Sequence, residues 1–306
     1  MKKFILACLL ALGAAGIGNA ATYSVGTVEA LQDAFKVVVD GDTIMLLDTI
    51  TMTAESNDIR IPRRVRISGG DSGQTIEGGG FPIFSVADNV SFDKVTFTGA
   101  VKTGSGGAVS ISSGIVNFRD STFTENSATT GGAVNIAGGT VTFTGSTFTG
   151  NRATGNGGAV SVTGGEVRFT SGSFSRNNAM VNGGAVSVAT GSLVNFNNVS
   201  FGGPDALNTA ATGGAVHVAG GTVTFNGGSF AGNSATGNGG AVNVAGGSAV
   251  NFISVSFGNA DAVNTATAGG AVYIAGGTVA FNGGTFARNS ATGNGGAVYV
   301  AAGNPI

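Results

Sequence analysis

A single cysteine, Cys8, and a single histidine, His217, stand among 306 residues, with four prolines and only 10% charged side chains. One thiol cannot build a disulfide framework, so nothing in the fold depends on an oxidised pair. Few prolines, and no G-X-Y period, exclude collagen and proline-rich linkers, although glycine supplies 56 residues. The net charge is −2, and from Asn182 to Ile306 the only formal charges are Asp205, Asp261 and Arg288. Such a surface has no electrostatic grip on nucleic acid. Beyond the N-terminus no apolar run approaches the ~20 residues of a membrane helix. No Lys-Ser/Thr follows the glycines to make a phosphate loop, and the calcium-binding nonapeptide is missing, so no cofactor is expected.

What is present begins with an export signal. Lys2 and Lys3 precede the apolar stretch Phe4 to Leu12, and Gly18-Asn19-Ala20 offers small residues at a signal peptidase site. Cleavage after Ala20 removes two lysines and leaves the mature chain near −4 (−2 minus 2). A lipoprotein site at Ile5-Leu6-Ala7-Cys8 fits less well, because the apolar core continues past Cys8. Thr27 to Asp40 then reads as a helix, with Val28, Leu31, Phe35 and Val38 on one side and Thr27 as N-cap. Across the open end of a strand stack, such a helix acts as a cap.

The rest of the chain is a repeat. A GGAV tetrad begins at Gly106, Gly131, Gly157, Gly183, Gly213, Gly239, Gly269 and Gly295, at intervals of 25, 26, 26, 30, 26, 30 and 26 residues. Two phenylalanines five apart precede each tetrad, as Phe169 and Phe174 precede Gly183. Short alternating runs broken by glycine cannot make helices, and identical strands recurring at this period pair only with their copies one turn away. The expected fold is therefore all-β: a right-handed parallel β-helix of about 26–30 residues per coil, rising about 4.8 Å per coil. Residues 22–91 form the capping helix and irregular first coils, including Ile59 to Ser68 read as one strand with Arg60, Arg64 and Arg66 outward. Residues 92–306 form the regular array. Gly157 and Gly158 are expected at a tight corner, Ala159 outward, and Phe169 and Phe174 in the core. Asn126, Asn151, Asn177, Asn233 and Asn289, each three residues after a second phenylalanine, are expected to stack their amides along the axis.

GGAV in phase with Phe-Thr-Glu-Asn, Phe-Thr-Gly-Asn, Phe-Ser-Arg-Asn, Phe-Ala-Gly-Asn and Phe-Ala-Arg-Asn resembles the GGA-[ILV] and F-x-x-N repeats of the polymorphic outer membrane proteins. The resemblance covers about residues 92–306 and implies an autotransporter passenger with a pectin-lyase-like β-helix, exported to the cell surface, outer membrane or extracellular space. It implies an adhesin or structural module whose partner is a host or neighbouring cell-surface protein or glycan. The chain departs from the family in three ways: Ala100 stands for the asparagine after Phe97, the coils after Phe201 and Phe257 lack F-x-x-N, and the C-terminal membrane barrel is absent. The end at Asn304-Pro305-Ile306, just past a GGAV strand, reads as a truncation of a longer stack.

Two coils, after Phe201 and Phe257, are lengthened to 30 residues, and insertions in solenoids gather on a binding face. Asp205, Asn208, Asp261 and Asn264 are accordingly the candidate recognition residues, two coils or about 10 Å apart. Catalysis is not expected. Hydrolysis of a polysaccharide needs paired carboxylates, and from Val101 onward only Asp120, Glu125, Glu166, Asp205 and Asp261 are acidic. His217, at the outward position it shares with Ser161 and Tyr273, reads as a solvated strand residue. No threonine ladder of the ice-binding kind forms, since the outward position before the first phenylalanine varies from Asn117 to Thr142 to Arg168. The alternative is a secreted carbohydrate-binding or polysaccharide-degrading β-helix.

Overall fold

A computed structural model describes residues 20–301; residues 1–19, with most of the signal segment, and 302–306, with the C-terminal Asn-Pro-Ile, lie outside the described residues. The single helix among the described residues, α1 (Val28–Val37), is capped by Thr27, whose side chain accepts from the Ala30 amide. It stops at Val38, three residues before Gly41, because the Val38 backbone turns extended. Val28, Leu31 and Phe35 are buried, and the Phe35 ring meets Phe84 edge-on at 6.2 Å. The apolar stripe thus closes the first turns of the stack.

Everything after α1 is a parallel β-solenoid with three sheets. Ten GGAV-type strands, from Ile59–Ile61 to Val298–Val300, form one face, which we call the valine face. A second sheet of 19 strands carries both phenylalanines of each coil, and a third of eight short strands closes the triangle. In the Gly157 coil these are Val160–Val162, Glu166–Thr170, Ser173–Ser175 and Asn178–Ala179. The last is too short to be visible from periodicity. The register is strict: Val160 pairs with Val186, Phe169 with Phe196 and Phe174 with Phe201.

Stacking in register makes two aromatic columns. Phe92, Phe118, Phe143 and Phe169 stack at 4.7–4.9 Å between centroids. Phe97, Phe123, Phe148 and Phe174 stack at 4.5–4.8 Å, and the columns meet edge-to-face at 5.3–5.4 Å. Both geometries suit the quadrupole of an aromatic ring, so the core gains from packing within and between columns. Gly157 adopts φ 65°, and a Cβ on Gly158 would be driven into the Gly184 carbonyl one coil on. Glycine is required at this corner for conformation and for space.

Three expectations are corrected. Ile59 to Ser68 is two strands, Ile59–Ile61 and Val65–Ser68, because Pro62 opens a corner between them; Arg60 and Arg66 therefore lie on different faces. Ala159 is fully buried rather than outward, since the second glycine turns it beneath the next coil. His217 does point away from the core, but its neighbours shield most of it. Ser161, Ser187 and Asn243 in the same column are 4%, 7% and 5% exposed.

Candidate functional site

The asparagines stand where the spacing places them, in an internal ladder. Asn126 Nδ2 donates to Asn151 Oδ1, Asn151 Nδ2 to Asn177 Oδ1, and Asn177 Nδ2 to Asn208 Oδ1, each at 3.0 Å. The chain continues through Asn233 and Asn264 to Asn289. Each Nδ2 also donates to the carbonyl of a phenylalanine in the preceding coil, as Asn177 does to Phe148. Ala100, which lacks the amide, still has its backbone N–H satisfied by Asn126 Oδ1.

Asn208 and Asn264 are thereby removed from the recognition loops. Both are 0% exposed and occupy the same ladder position as Asn177. The lengthened coils do not lose the asparagine; they carry it seven residues after Phe201 and Phe257 instead of three. The four added residues are pushed outward before the ladder resumes. Asp205 and Asp261 remain exposed, joined by the exposed aliphatics Leu207 (44%) and Val263 (37%).

Each loop is anchored at its base. Arg176 Nε donates to the Asp205 carbonyl at 3.2 Å, and Arg288 Nη1 to the Ala260 carbonyl at 3.5 Å. Asp205 takes φ 54°, and the Asn259 side chain accepts from the Asp261 and Ala262 amides. The result is two like-shaped projections, each offering a carboxylate and an aliphatic side chain. They can pair with a surface of cationic and apolar groups; they hold no nucleophile and no base partner.

A second feature lies near the N-terminal turns, on the phenylalanine-bearing sheet. A cleft of about 700 Å³ is lined by Arg66, Asp71, Asp93, Lys94, Arg119 and Asp120, among others. Asp93 is gripped by Arg66 and lies 3.7 Å from Arg119 Nε. Arg66, on the strand Val65–Ser68, thus pairs with a carboxylate one coil on. Among the described residues no group of three or more His, Cys, Asp or Glu side chains is placed to hold a metal.

His217 lies between the corner and the valine face. Thr212 Oγ1 donates to Asn182 Oδ1 at 2.6 Å and lies 3.4 Å from His217 Nδ1. Burial pushes the imidazole below its ordinary value, and a hydrogen bond with Asn243 offsets only part of that.

Fold and surface define a parallel β-solenoid with an inert interior and variable outward positions. Two segments, 145–163 and 283–301, match the family model of the Chlamydia polymorphic membrane protein (Chlamydia_PMP) repeat. Each runs from just before the second phenylalanine, through F-x-x-N, to the GGAV strand. The chain therefore carries the polymorphic membrane protein repeat on a β-helix, the build of a surface-exposed polymorphic outer membrane protein passenger. No curated protein and no solved structure matches the chain. No described helix is long and apolar enough to cross a membrane.

Proposed function

We propose that this chain is an exported, non-catalytic adhesin passenger that engages a cell-surface protein or glycan through its two lengthened loops. The observation that carries the reading is the burial of Asn208 and Asn264 beside the exposure of Asp205, Leu207, Asp261 and Val263. The insertions preserve the scaffold and add only surface. An exposed aliphatic beside a carboxylate, repeated two coils later, favours a partner with matching basic and apolar groups. The test is to shorten both loops to the F-x-x-N length of the Phe230 coil. Beads coated with parent or shortened protein are then compared for adherence to epithelial cells. Adherence should fall while the melting transition holds; unchanged adherence refutes the loop assignment.

One observation favours the second reading, a polysaccharide-binding or polysaccharide-degrading surface: Asp71, Asp93 and Asp120 share the 700 Å³ cleft with three cations. Cleavage requires a carboxyl free to transfer a proton, and Asp93 is occupied by its arginines. Release of reducing ends from a polysaccharide panel, abolished by Asp120→Asn, would replace the adhesin reading.

A further inference from the structure

The third sheet holds a misfit at its start. Its inward position is alanine in coil after coil: Ala128 pairs with Ala153, Ala153 with Ala179, and Ala210 with Ala235. In the first coil that register position is Lys102, and the ladder slips between Lys102 and Ser105. A bulge of this kind re-aims a side chain, and bulges are concentrated beside functional sites. The Lys102 ammonium is turned toward the valine face, where it donates to Asp58 Oδ2 at 3.1 Å, Asp58 Oδ1 at 3.3 Å and Ser110 Oγ at 3.2 Å. All three of its protons are thus used. Asp58 is equally committed, because it also accepts from Ser85 Oγ at 2.7 Å.

This knot forms part of a cavity of about 410 Å³ that is also lined by Arg60 and Asn135. Arg60, Ser85, Ser110 and Asn135 stand in direct register on four successive coils, a row roughly 14 Å long at the strand spacing. Lys102 and Asp58 neutralise each other. Among the described residues no carboxylate lies within ion-pair distance of Arg60, although Asp88 borders a neighbouring hollow with it. The Asn135 amide makes no side-chain hydrogen bond, and the floor between the polar groups is apolar, from Val86, Ala87 and Ala137. One free guanidinium at the end of a row of hydroxyls and an amide, over small apolar groups, suits an anionic group carried on a polyhydroxylated chain.

We propose that this cavity is a binding site for a uronate-containing glycan. Arg60 takes the carboxylate in a two-bond fork, and the Asn135 amide meets ring hydroxyls; Ser110, whose Oγ donates to the Ser105 carbonyl at 2.6 Å and accepts from Lys102, offers only a remaining lone pair. Lys102 and Asp58 are positioning residues that hold the row in place. The site is far along the axis from the loops and stands or falls independently of them. The test is calorimetric titration of the whole chain with a hyaluronan hexasaccharide at low ionic strength, against the same hexasaccharide with its carboxylates reduced to alcohols. Arg60→Ala should weaken binding of the acidic chain roughly tenfold or more. Asp58→Asn keeps an acceptor oxygen for Ser85 and Lys102, suits the left-handed φ of 48° there, and leaves the Lys102 charge uncompensated beside the row, so it should tighten binding several-fold. Arg168→Ala, an exposed arginine elsewhere, should leave affinity unchanged, and circular dichroism should show every variant folded. Failure of the parent to bind the acidic hexasaccharide, equal binding of the reduced one, or an Arg60→Ala affinity matching the parent would each overturn the proposal. Equal weakening by Arg168→Ala would overturn it too.

Discussion

Asn208→Ala separates a ladder residue from a loop residue. In the folded chain the Asn208 amide donates to the Phe174 carbonyl at 2.9 Å and to Asn233 Oδ1 at 3.0 Å. It accepts from the Asn177 amide N–H and from Asn177 Nδ2, both at 3.0 Å. Removing it leaves the Asn177 backbone N–H, one Asn177 side-chain proton and Asn233 Oδ1 without those partners in a fully buried row. A buried polar group stranded in this way costs about 1–3 kcal/mol, so the three together destabilise by at least about 3 kcal/mol. Asp205→Asn, three residues earlier and exposed, keeps a side chain that tolerates the left-handed φ of 54° and should stay within about 0.5 kcal/mol of the parent. Guanidinium titrations followed by far-ultraviolet circular dichroism measure both, with the midpoint compared at constant slope. Adherence should respond in the opposite sense, falling for Asp205→Asn and holding for Asn208→Ala under conditions where the latter is folded. An Asn208→Ala midpoint within about 0.5 kcal/mol of the parent would refute the ladder argument.

Other perturbations probe the same scaffold. Phe148→Ala removes a ring stacked between Phe123 at 4.7 Å and Phe174 at 4.5 Å, and should cost about 3–5 kcal/mol in chemical denaturation. Gly158→Ala should prevent soluble folding, because its Cβ meets the Gly184 carbonyl, whereas Gly246→Ala, with open space and ordinary φ, should be neutral or stabilising by about 0.4–1 kcal/mol; yield and melting temperature decide. The His217 imidazole titrates lower in the folded chain than in the unfolded chain. The unfolded state therefore binds more protons between the two values, and stability is lost as pH falls from about 6.5. His217→Gln should flatten that dependence in melts across this range, and an unaltered slope would show that His217 is not its source.

Much of this architecture is legible because an in-register parallel stack must repeat whatever its core requires. Phe169, Phe174 and the GGAV corner recur since each lies on its own copy, and the same logic places Asn126, Asn151 and Asn177 in one ladder. The shifted members Asn208 and Asn264 escape a search at fixed distance from phenylalanine. A triplet carries the missing signal: Asn208-Thr209-Ala210 and Asn264-Thr265-Ala266 match Asn233-Ser234-Ala235 and Asn289-Ser290-Ala291. The break between Ile61 and Val65 is written in Pro62, but alternation on both sides masks it. Burial of Ser161, Ser187 and Asn243 is not legible at all. It arises where the glycine corner folds over the outward position, a relation between segments that no local pattern encodes. The outlying Lys102 is legible only once the register exposes it as the charged member of an alanine column.

The spacing of the two loops has a physical cause. Between them lies the short Phe230 coil, whose Ala231, Gly232 and Asn233 are all buried. A Cβ on Gly232 would sit 2.6 Å from the Gly203 carbonyl oxygen on one side and 3.4 Å from the Ala262 side chain on the other. The first and second loops thus both lean over the intervening coil. Arg176 in the coil before the first loop and Arg288 in the coil after the second hold them from outside. An insertion in the middle coil would need the volume both loops already fill. Successive coils cannot all be lengthened, whereas alternate coils can. The 56-residue double coil, from Gly213 to Gly269, is therefore the smallest unit by which this surface can be extended without opening the core. A partner that spans both loops should engage Leu207 and Val263 together, so adherence losses from Leu207→Ser and Val263→Ser should combine non-additively. Strictly additive losses would mean two separate contacts and would contradict a partner that spans both loops.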